Sequence, residues 1–266
     1  MRKLWLRLGV ASFVLCVATA SRAQVEPGNK GKLTVRGFVS ATLFAQDAPF
    51  VFGDGQNAEF PAATRDKGDD RWFLDGDVRN TRLNLTYAGP ELANLPKLGA
   101  ALELDFFAGF FPGGFQNAQA VPRIRLAYAD IGIGNGTLRI GQAFSPWFGN
   151  FPQSLSHIAF PLGYGSAGNG GWRFPGVFFI APLTAKGAPL TATLTLAAQR
   201  NSWPGVANVA GAANQGSTSM AAMVRYKAGP YQLGVEYLWD LLDFRDTAGE
   251  DDLWANQVAL SVQYAF

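Results

Sequence analysis

The stretch QVALSVQYAF, residues 257–266, decides the fold class of this chain. Apolar residues occupy every second position up to the last phenylalanine, with Val258, Leu260 and Val262 on one side and polar or small residues on the other. This alternation is typical of a β-strand with one apolar face. Termini of soluble domains usually fray into water. A final strand of this kind therefore indicates surroundings that cover its apolar side.

The first 23 residues have the layout of a secretory signal peptide. Three basic residues precede a short apolar run, and small residues end the segment at Ser21 and Ala23. This pattern predicts cleavage before Gln24. The apolar run is shorter than the roughly 20 residues that a membrane-spanning helix needs. We therefore divide the chain into a signal peptide, residues 1–23, and an exported domain, residues 24–266.

Removal of the signal changes the charge balance. Four basic residues lie in the signal, so Lys and Arg fall from 22 to 18 against 20 Asp and Glu, and the formal charge changes from +2 to −2. A chain of this charge gives no reason to expect nucleic acid as a partner. Cys16, the one cysteine of the sequence, also lies in the signal, so no disulfide is expected in the exported domain.

Period-two alternation recurs along the exported domain and predicts ten strands, with twelve as the next even number. The clearest segments are LTVRGFVSATLF, TRLNLTY, LGAALELDFFAGF, RIRLAY, LTATLTLAAQ and YQLGVEYLW. The connections alternate between long and short, so long loops fall at one end of the strands and short turns at the other. Outer-membrane barrels have this asymmetry, with short periplasmic turns and long extracellular loops. The sequence thus predicts an all-β, closed antiparallel transmembrane β-barrel.

Closure of the barrel would explain the final strand. In lipid every backbone N–H and C=O group must be paired within the protein, and a sheet achieves this by closing on itself. Residues 257–266 would then pair with the strand that begins near Leu33. We expect an aromatic girdle near the short turns, formed by Tyr87, Tyr128, Tyr231, Tyr264 and Phe266. The terminal phenylalanine also resembles the signal that barrel-assembly machinery reads, which implies this machinery and outer-membrane lipid as partners.

The polar sides of the strands carry charges of both signs. We predict that they line or constrict the pore at Arg36, Arg82, Glu103, Asp105, Arg123, Arg125 and Arg139. One interpretation is a transverse field that favours small anions such as carboxylates. The other is a ladder of salt bridges that fills a narrow barrel. The aromatic-rich segment 146–171 would either fold into the mouth or cap the barrel, and we favour the inward position.

Enzymatic readings have little support in the sequence. His157 lies in a loop beside Ser154 and Ser156, and side chains so close in a loop do not form a base and nucleophile pair. One histidine and no exported cysteine leave no zinc-binding set. The acidic stretches DGDVRN and GEDD lack the ligand spacing of a calcium loop. We predict no enzyme, no cofactor and no metal site.

Four motifs in residues 77–149 resemble the DcaP-like porins of Gram-negative outer membranes. They are an Arg-bearing strand at Arg82, E-x-D-F-F at residues 103–107, R-x-R-x-A-Y at residues 123–128 and G-Q-x-x-[ST]-P-[WF] at residues 141–147. The resemblance implies a channel for small, often anionic, solutes, commonly assembled as a homotrimer. Family members are larger, with more strands.

Taken together, these features predict a passive porin-like channel for small hydrophilic solutes in the bacterial outer membrane. One alternative is a plugged structural or adhesive barrel that acts through its extracellular loops. A soluble periplasmic β-sandwich is a third reading, since it would show the same alternation. It would bury the aromatic faces between two sheets and dissolve without detergent.

Overall fold

The computed structural model describes residues 23–25, 31–46, 50–52, 59–61, 72–90, 96–106, 120–148, 173–200, 218–242 and 253–264. Fifteen strands lie in these ranges: β1 (Ala23–Val25), β2 (Lys32–Phe38), β3 (Thr42–Gln46), β4 (Phe50–Phe52), β5 (Glu59–Pro61), β6 (Phe73–Asp77), β7 (Arg82–Ala88), β8 (Leu98–Asp105), β9 (Arg123–Ile133), β10 (Gly136–Phe144), β11 (Arg173–Pro182), β12 (Leu190–Arg200), β13 (Thr218–Ala228), β14 (Tyr231–Leu242) and β15 (Leu253–Tyr264). A single 3₁₀ turn, Pro146–Phe148, follows β10. Within the described ranges, no helix has the length and apolarity needed to cross a membrane.

One antiparallel sheet contains eleven of these strands in the order β1-β2-β7-β8-β9-β10-β11-β12-β13-β14-β15. From β7 onward each strand pairs with its neighbour in sequence, and β2 to β15 in this sheet correspond to the ten strands that the alternation predicts. The all-β class and the antiparallel order are thus confirmed. The long connection between β2 and β7 contains two small ribbons, β3 with β6 and β4 with β5.

The sheet has one apolar and one polar face, which the register fixes. In the β14–β15 pair, Val235 lies opposite Leu260 and Tyr237 opposite Val258, whereas Glu236 lies opposite Ala259. The apolar side chains of β15 are 69–75% exposed at Val258, Leu260 and Val262. Because strand side chains alternate between faces, an exposed apolar row of this kind is what a lipid-facing sheet requires. We call the two sides the apolar face and the polar face.

Short turns join the strands at one end of the sheet, as predicted. Gly134, Gly187 and Gly229 have positive φ angles of 59°, 86° and 53° in the connections after β9, β11 and β13. Glycine reaches such angles at little cost because it has no Cβ. The opposite ends of the strands, which include Arg82, Asp105 and Arg173, adjoin the long connections. We call these the short-turn end and the long-connection end.

The predicted closure is wrong for this structure, because the sheet remains open. The outer edge of β2 pairs with β1 through Ala23–Val35, Gln24–Thr34 and Val25–Leu33, so the edge that the last strand was expected to occupy is taken. In the part of the chain that the structure describes, β15 pairs with β14 alone. The physical reason is competition for one row of backbone donors and acceptors. A segment at the predicted cleavage site occupies that row.

Strand β9 also departs from the predicted alternation. Along its pairing with β8, Glu103 lies opposite Leu126 but Leu104 lies opposite Ile124, so Arg125 has no partner in the register. This is the one-residue excess of a β-bulge, which changes the alternation of faces along a strand. The bulge places Tyr128 on the polar face, whereas unbroken alternation predicted it on the apolar face.

Candidate functional site

A group of charged side chains gathers on the polar face at the long-connection end. Antiparallel order brings the starts of β7, β9 and β11 beside the end of β8, and each of these positions carries a charge. We call the group the arginine cluster, and it contains Arg82, Arg123, Arg125 and Arg173 with Glu103 and Asp105. Five of these six residues are among the predicted pore-lining positions.

Asp105 is the centre of the ion pairs in the arginine cluster. Arg123 donates from Nε to Oδ1 at 2.9 Å and from Nη2 to Oδ2 at 2.6 Å, and Arg125 donates from Nη1 to the same Oδ2 at 2.8 Å. Arg125 also donates from Nε to Glu103 Oε1 at 2.6 Å. Asp105 is 2% exposed and Arg125 is 5% exposed. Buried charges of this kind are retained when they are paired and hydrogen-bonded, as these are.

Two arginines of the cluster have no ion-pair partner among the described residues. Arg82 and Arg173 interact electrostatically with Arg123 and Arg125 but form no salt bridge there. The Nε atom of Arg82 is buried without a hydrogen-bond partner in the described part. The two guanidinium groups lie 5.6 Å from the ring centres of Phe38 and Phe144 respectively. With four arginines and two carboxylates, the cluster carries an excess of two positive charges.

Arg173 was absent from the predicted site. Arg173 is the first residue of β11, and the register places it opposite Phe144, on the apolar-face side of that strand. Its charge nevertheless interacts with those of Asp105, Arg125 and Arg82, although β7 lies four strands from β11, so we count it in the cluster. A sequence signal exists: Arg82, Arg123 and Arg173 are each the first residue of a strand that follows a long connection.

The remaining predicted pore residues lie apart from the cluster. Arg139 forms a two-fold pair with Asp130, with Nε to Oδ1 at 2.8 Å and Nη2 to Oδ2 at 2.9 Å. Its guanidinium lies 3.7 Å from the ring centre of Tyr128, a cation–π arrangement. Arg36 lies opposite Asn84 at the edge of the polar face and is exposed. The seven predicted pore residues are therefore divided between the arginine cluster, the Arg139–Asp130 pair and Arg36.

On β10 to β14, part of the polar face carries buried apolar side chains, and a short turn covers them. The 3₁₀ turn Pro146–Phe148 packs on β12, β13 and β14. Its Trp147 lies against a buried cluster that also contacts Tyr128, and the cluster consists of Ala143, Phe178, Ala197, Ala221 and Leu238. Beside it, Gln199 donates from Nε2 to Ser145 Oγ at 2.8 Å. The first turn of the segment predicted to fold inward thus covers this face, whereas residues 149–171, including His157, lie outside the described residues.

Three of the five residues predicted to form an aromatic girdle lie at one end of the sheet. Tyr87, Tyr231 and Tyr264 are exposed and lie near the short-turn end. The rings of Tyr231 and Tyr264 are 5.0 Å apart, centre to centre, at the paired ends of β14 and β15. Tyr128 instead supports Arg139 on the polar face, and Phe266 lies outside the described residues.

Positive charges outnumber negative charges among the described side chains of the polar face. Its described side chains include four carboxylates, at Glu103, Asp105, Asp130 and Glu236. They include eight cations, at Lys32, Arg36, Arg82, Arg123, Arg125, Arg139, Arg225 and Lys227, and Arg173 adjoins this face at the start of β11. An aqueous path along this face would run through a positive potential.

Comparison with known proteins supports the fold. No protein-family model matches this chain, and no curated protein is similar to it in the sequence search. Among solved structures, the crystal structure of the outer membrane channel DcaP of Acinetobacter baumannii is similar, with a TM-score of 0.63 and 19% sequence identity. The match covers 91% of this chain and 62% of that chain. The resemblance to DcaP-like porins is thus confirmed at the level of the fold.

Proposed function

We propose that this chain forms a passive channel in the bacterial outer membrane for small hydrophilic solutes, and that it favours anions such as carboxylates. The observation that carries the proposal is the pair Arg82 and Arg173, which form no salt bridge with a described carboxylate. Support also comes from the fold, which is similar to that of an outer-membrane channel.

The arginine cluster has the chemistry for brief anion binding. A guanidinium group offers planar N–H donors that match a carboxylate, and such bonds are stronger than neutral ones. Because the paired arginines already bind Glu103 and Asp105, a passing anion would meet mainly Arg82 and Arg173. Conduction requires binding that is strong enough to enter and weak enough to leave. Two unpaired cations beside a neutralised pair network satisfy both conditions.

Membrane insertion follows from the apolar face in this proposal. The signal peptide would direct export, barrel-assembly machinery would insert the exported domain, and three copies would form a homotrimer. Among the described residues the outer edge of β15 has no strand partner, and lipid offers no hydrogen bonds to such an edge. Cleavage before Gln24 would remove Ala23 from β1 and weaken the cover over β2.

A second candidate is a plugged structural or adhesive barrel. The observation that favours it is the 3₁₀ turn Pro146–Phe148, whose Trp147 covers the buried apolar cluster on β10 to β14 of the polar face. In that case the paired charges would serve packing, and the long connections would perform the function.

Electrical measurement separates the two candidates. The exported domain, residues 24–266, would be refolded from detergent into a planar bilayer, and conductance and reversal potential would be recorded under a salt gradient. We expect discrete conductance steps and an anion-selective reversal potential. The double variant Arg82→Ala/Arg173→Ala should move the reversal potential toward zero, and Arg82→Lys/Arg173→Lys should retain most of it. The control Lys186→Ala removes one cation from a short turn. An inserted, folded domain without conductance would exclude the channel.

A further inference from the structure

The β9–β10 pair contains a break in its backbone ladder close to the arginine cluster. The register of these strands runs from Gly136–Ile133 to Gln142–Ala127 and ends there, although both strands continue. The β-bulge at Arg125 lies just beyond this point, on the other edge of β9. Residues 123–126 of β9 therefore lack register partners on β10. In a lipid-facing sheet, the carbonyl groups on this edge must accept hydrogen bonds from another donor.

Gln142 supplies the missing donors with its side chain. Its amide nitrogen Nε2 lies 3.1 Å from the carbonyl oxygen of Ile124 and 3.0 Å from that of Arg125. A primary amide has two N–H donors, so both are used. By register Gln142 belongs to the apolar face, between Ile140, which is exposed, and Phe144. A polar residue there is expensive unless it is hydrogen-bonded, and the two carbonyl groups of the bulge account for its presence.

Gly141 permits the close approach of the two strands at the same place. Its φ angle is 130°, a region that side chains with a Cβ rarely adopt. A Cβ on Gly141 would collide with the backbone oxygen of Ala127 and would lie 2.7 Å from the Cα of Tyr128. Glycine is therefore required for β10 to lie close enough for the Gln142 amide to reach the bulge.

The bulge determines which face the arginines occupy. Tyr128 and Asp130 lie on the polar face with Arg139. In a regular strand Arg125 is an odd number of residues from Tyr128, so it would lie on the apolar face, and Arg123 with it. The extra residue reverses the alternation and brings both arginines to Glu103 and Asp105.

From these contacts we infer that Gly141 and Gln142 form a bulge clamp that positions Arg123 and Arg125 on the polar face. Gln142 acts from the apolar face, where no solute passes, and so it is a positioning residue that determines selectivity through Arg125. The inference rests on the proposed channel function for its selectivity consequence. The clamp itself is independent of conduction.

The test compares two substitutions of polar residues on the apolar face. Gln142→Met keeps the length of the side chain and removes its donors. The control Asn256→Leu removes an exposed amide that accepts a hydrogen bond from Tyr237 and lies on β15, four strands from β11 in the sheet. We expect Gln142→Met to move the reversal potential toward zero in the direction of Arg125→Ala, and we expect Asn256→Leu to leave it unchanged. In the Arg125→Ala background, Gln142→Met should add little further shift.

A second readout does not need a conducting channel. Urea unfolding in lipid vesicles of the wild type, Gln142→Met, Arg125→Ala and the double variant forms a double-mutant cycle. The two substitutions together should destabilise the domain less than the sum of their separate effects. Additive effects on unfolding would overturn the clamp, whether or not the wild-type domain conducts. A wild-type reversal potential in Gln142→Met, with Arg125→Ala shifted, would overturn the selectivity role. Absence of conductance in the wild type alone would count against the channel and leave the cycle to decide the clamp.

Discussion

Asp105→Asn should be among the most destabilising conservative substitutions of the polar face. The Asp105 carboxylate accepts three hydrogen bonds from Arg123 and Arg125, at 2.6, 2.8 and 2.9 Å. Asparagine keeps the shape but has one acceptor oxygen, so one or two of the three bonds are lost, depending on which oxygen position the amide nitrogen takes. Hydrogen bonds to charged groups contribute roughly 1.5–3 kcal/mol each, and breaking a buried ion pair costs about 3–5 kcal/mol. We therefore expect the free energy of unfolding to fall by about 3–5 kcal/mol.

The matched control is Asp130→Asn. Asp130 also forms a two-fold pair with an arginine, but the Arg139 and Asp130 side chains are 24% and 25% exposed. Water can solvate the remaining arginine there, and an exposed pair contributes up to about 1 kcal/mol. Urea unfolding in lipid vesicles measures the free energy of unfolding of both variants. The gel shift of unheated samples and tryptophan fluorescence report the folded fraction. Equal destabilisation by the two substitutions would refute the argument that burial makes the Asp105 pairs important.

Three further predictions concern the backbone, the faces and the covered half of the sheet. Gly141→Ala should prevent refolding or strongly lower the free energy of unfolding. Gly134 also has a positive φ but open space around it, so Gly134→Ala should lower the free energy of unfolding by about 1 kcal/mol. Equal urea midpoints for the two variants would contradict the close approach of β9 and β10. A fluorophore on Leu260→Cys should be quenched by brominated lipid and one on the neighbouring Ser261→Cys should not, because they lie on opposite faces of β15; equal quenching would reject the assignment of faces. Trp147→Ala should raise single-channel conductance if the 3₁₀ turn narrows the path, while Tyr87→Ala on the apolar face should not; an unchanged conductance in both variants would place the turn outside the path.

The strands could be predicted from the sequence because they depend on local chemistry. Alternation along residues such as Val258, Leu260 and Val262 reflects the two faces of a strand, and the short turns carry glycines at positive φ. Both signals are contained within about ten residues. Asp105 and Arg123 are 18 residues apart, and they face each other because their strands are neighbours in sequence and in the sheet.

Three features depend on more than local pattern. The bulge at Arg125 shifts the alternation by one residue, and no glycine or proline lies next to it within β9. The glycine that permits it, Gly141, is on the next strand. The interaction of Arg173 with Arg82 joins strands that lie four places apart in the sheet. Closure depends on which segment occupies the edge of β2, a competition between distant parts of the chain. Alternation also misplaced Tyr128 for the first of these reasons.

The described lysines and the arginine cluster lie at opposite ends of the sheet, and their chemistry explains the separation. The described lysines, Lys32, Lys97, Lys186 and Lys227, are all exposed and lie near the short-turn end. The arginine cluster occupies the opposite end, where Arg125 and its partners are buried. A lysine ammonium is strongly hydrated and suits an exposed rim, whereas a guanidinium keeps its charge and binds two carboxylate oxygens at once when partly buried.

This separation has a consequence for selectivity. Exposed charges are screened over about 8 Å at physiological salt, and buried charges are screened much less. The lysines therefore contribute mainly to attraction of anions at low salt. The arginine cluster, which is partly shielded from solvent, would retain its effect on permeation as salt rises. In the proposed channel, selectivity at high salt should thus depend on the arginine cluster and on the bulge clamp that positions half of its arginines.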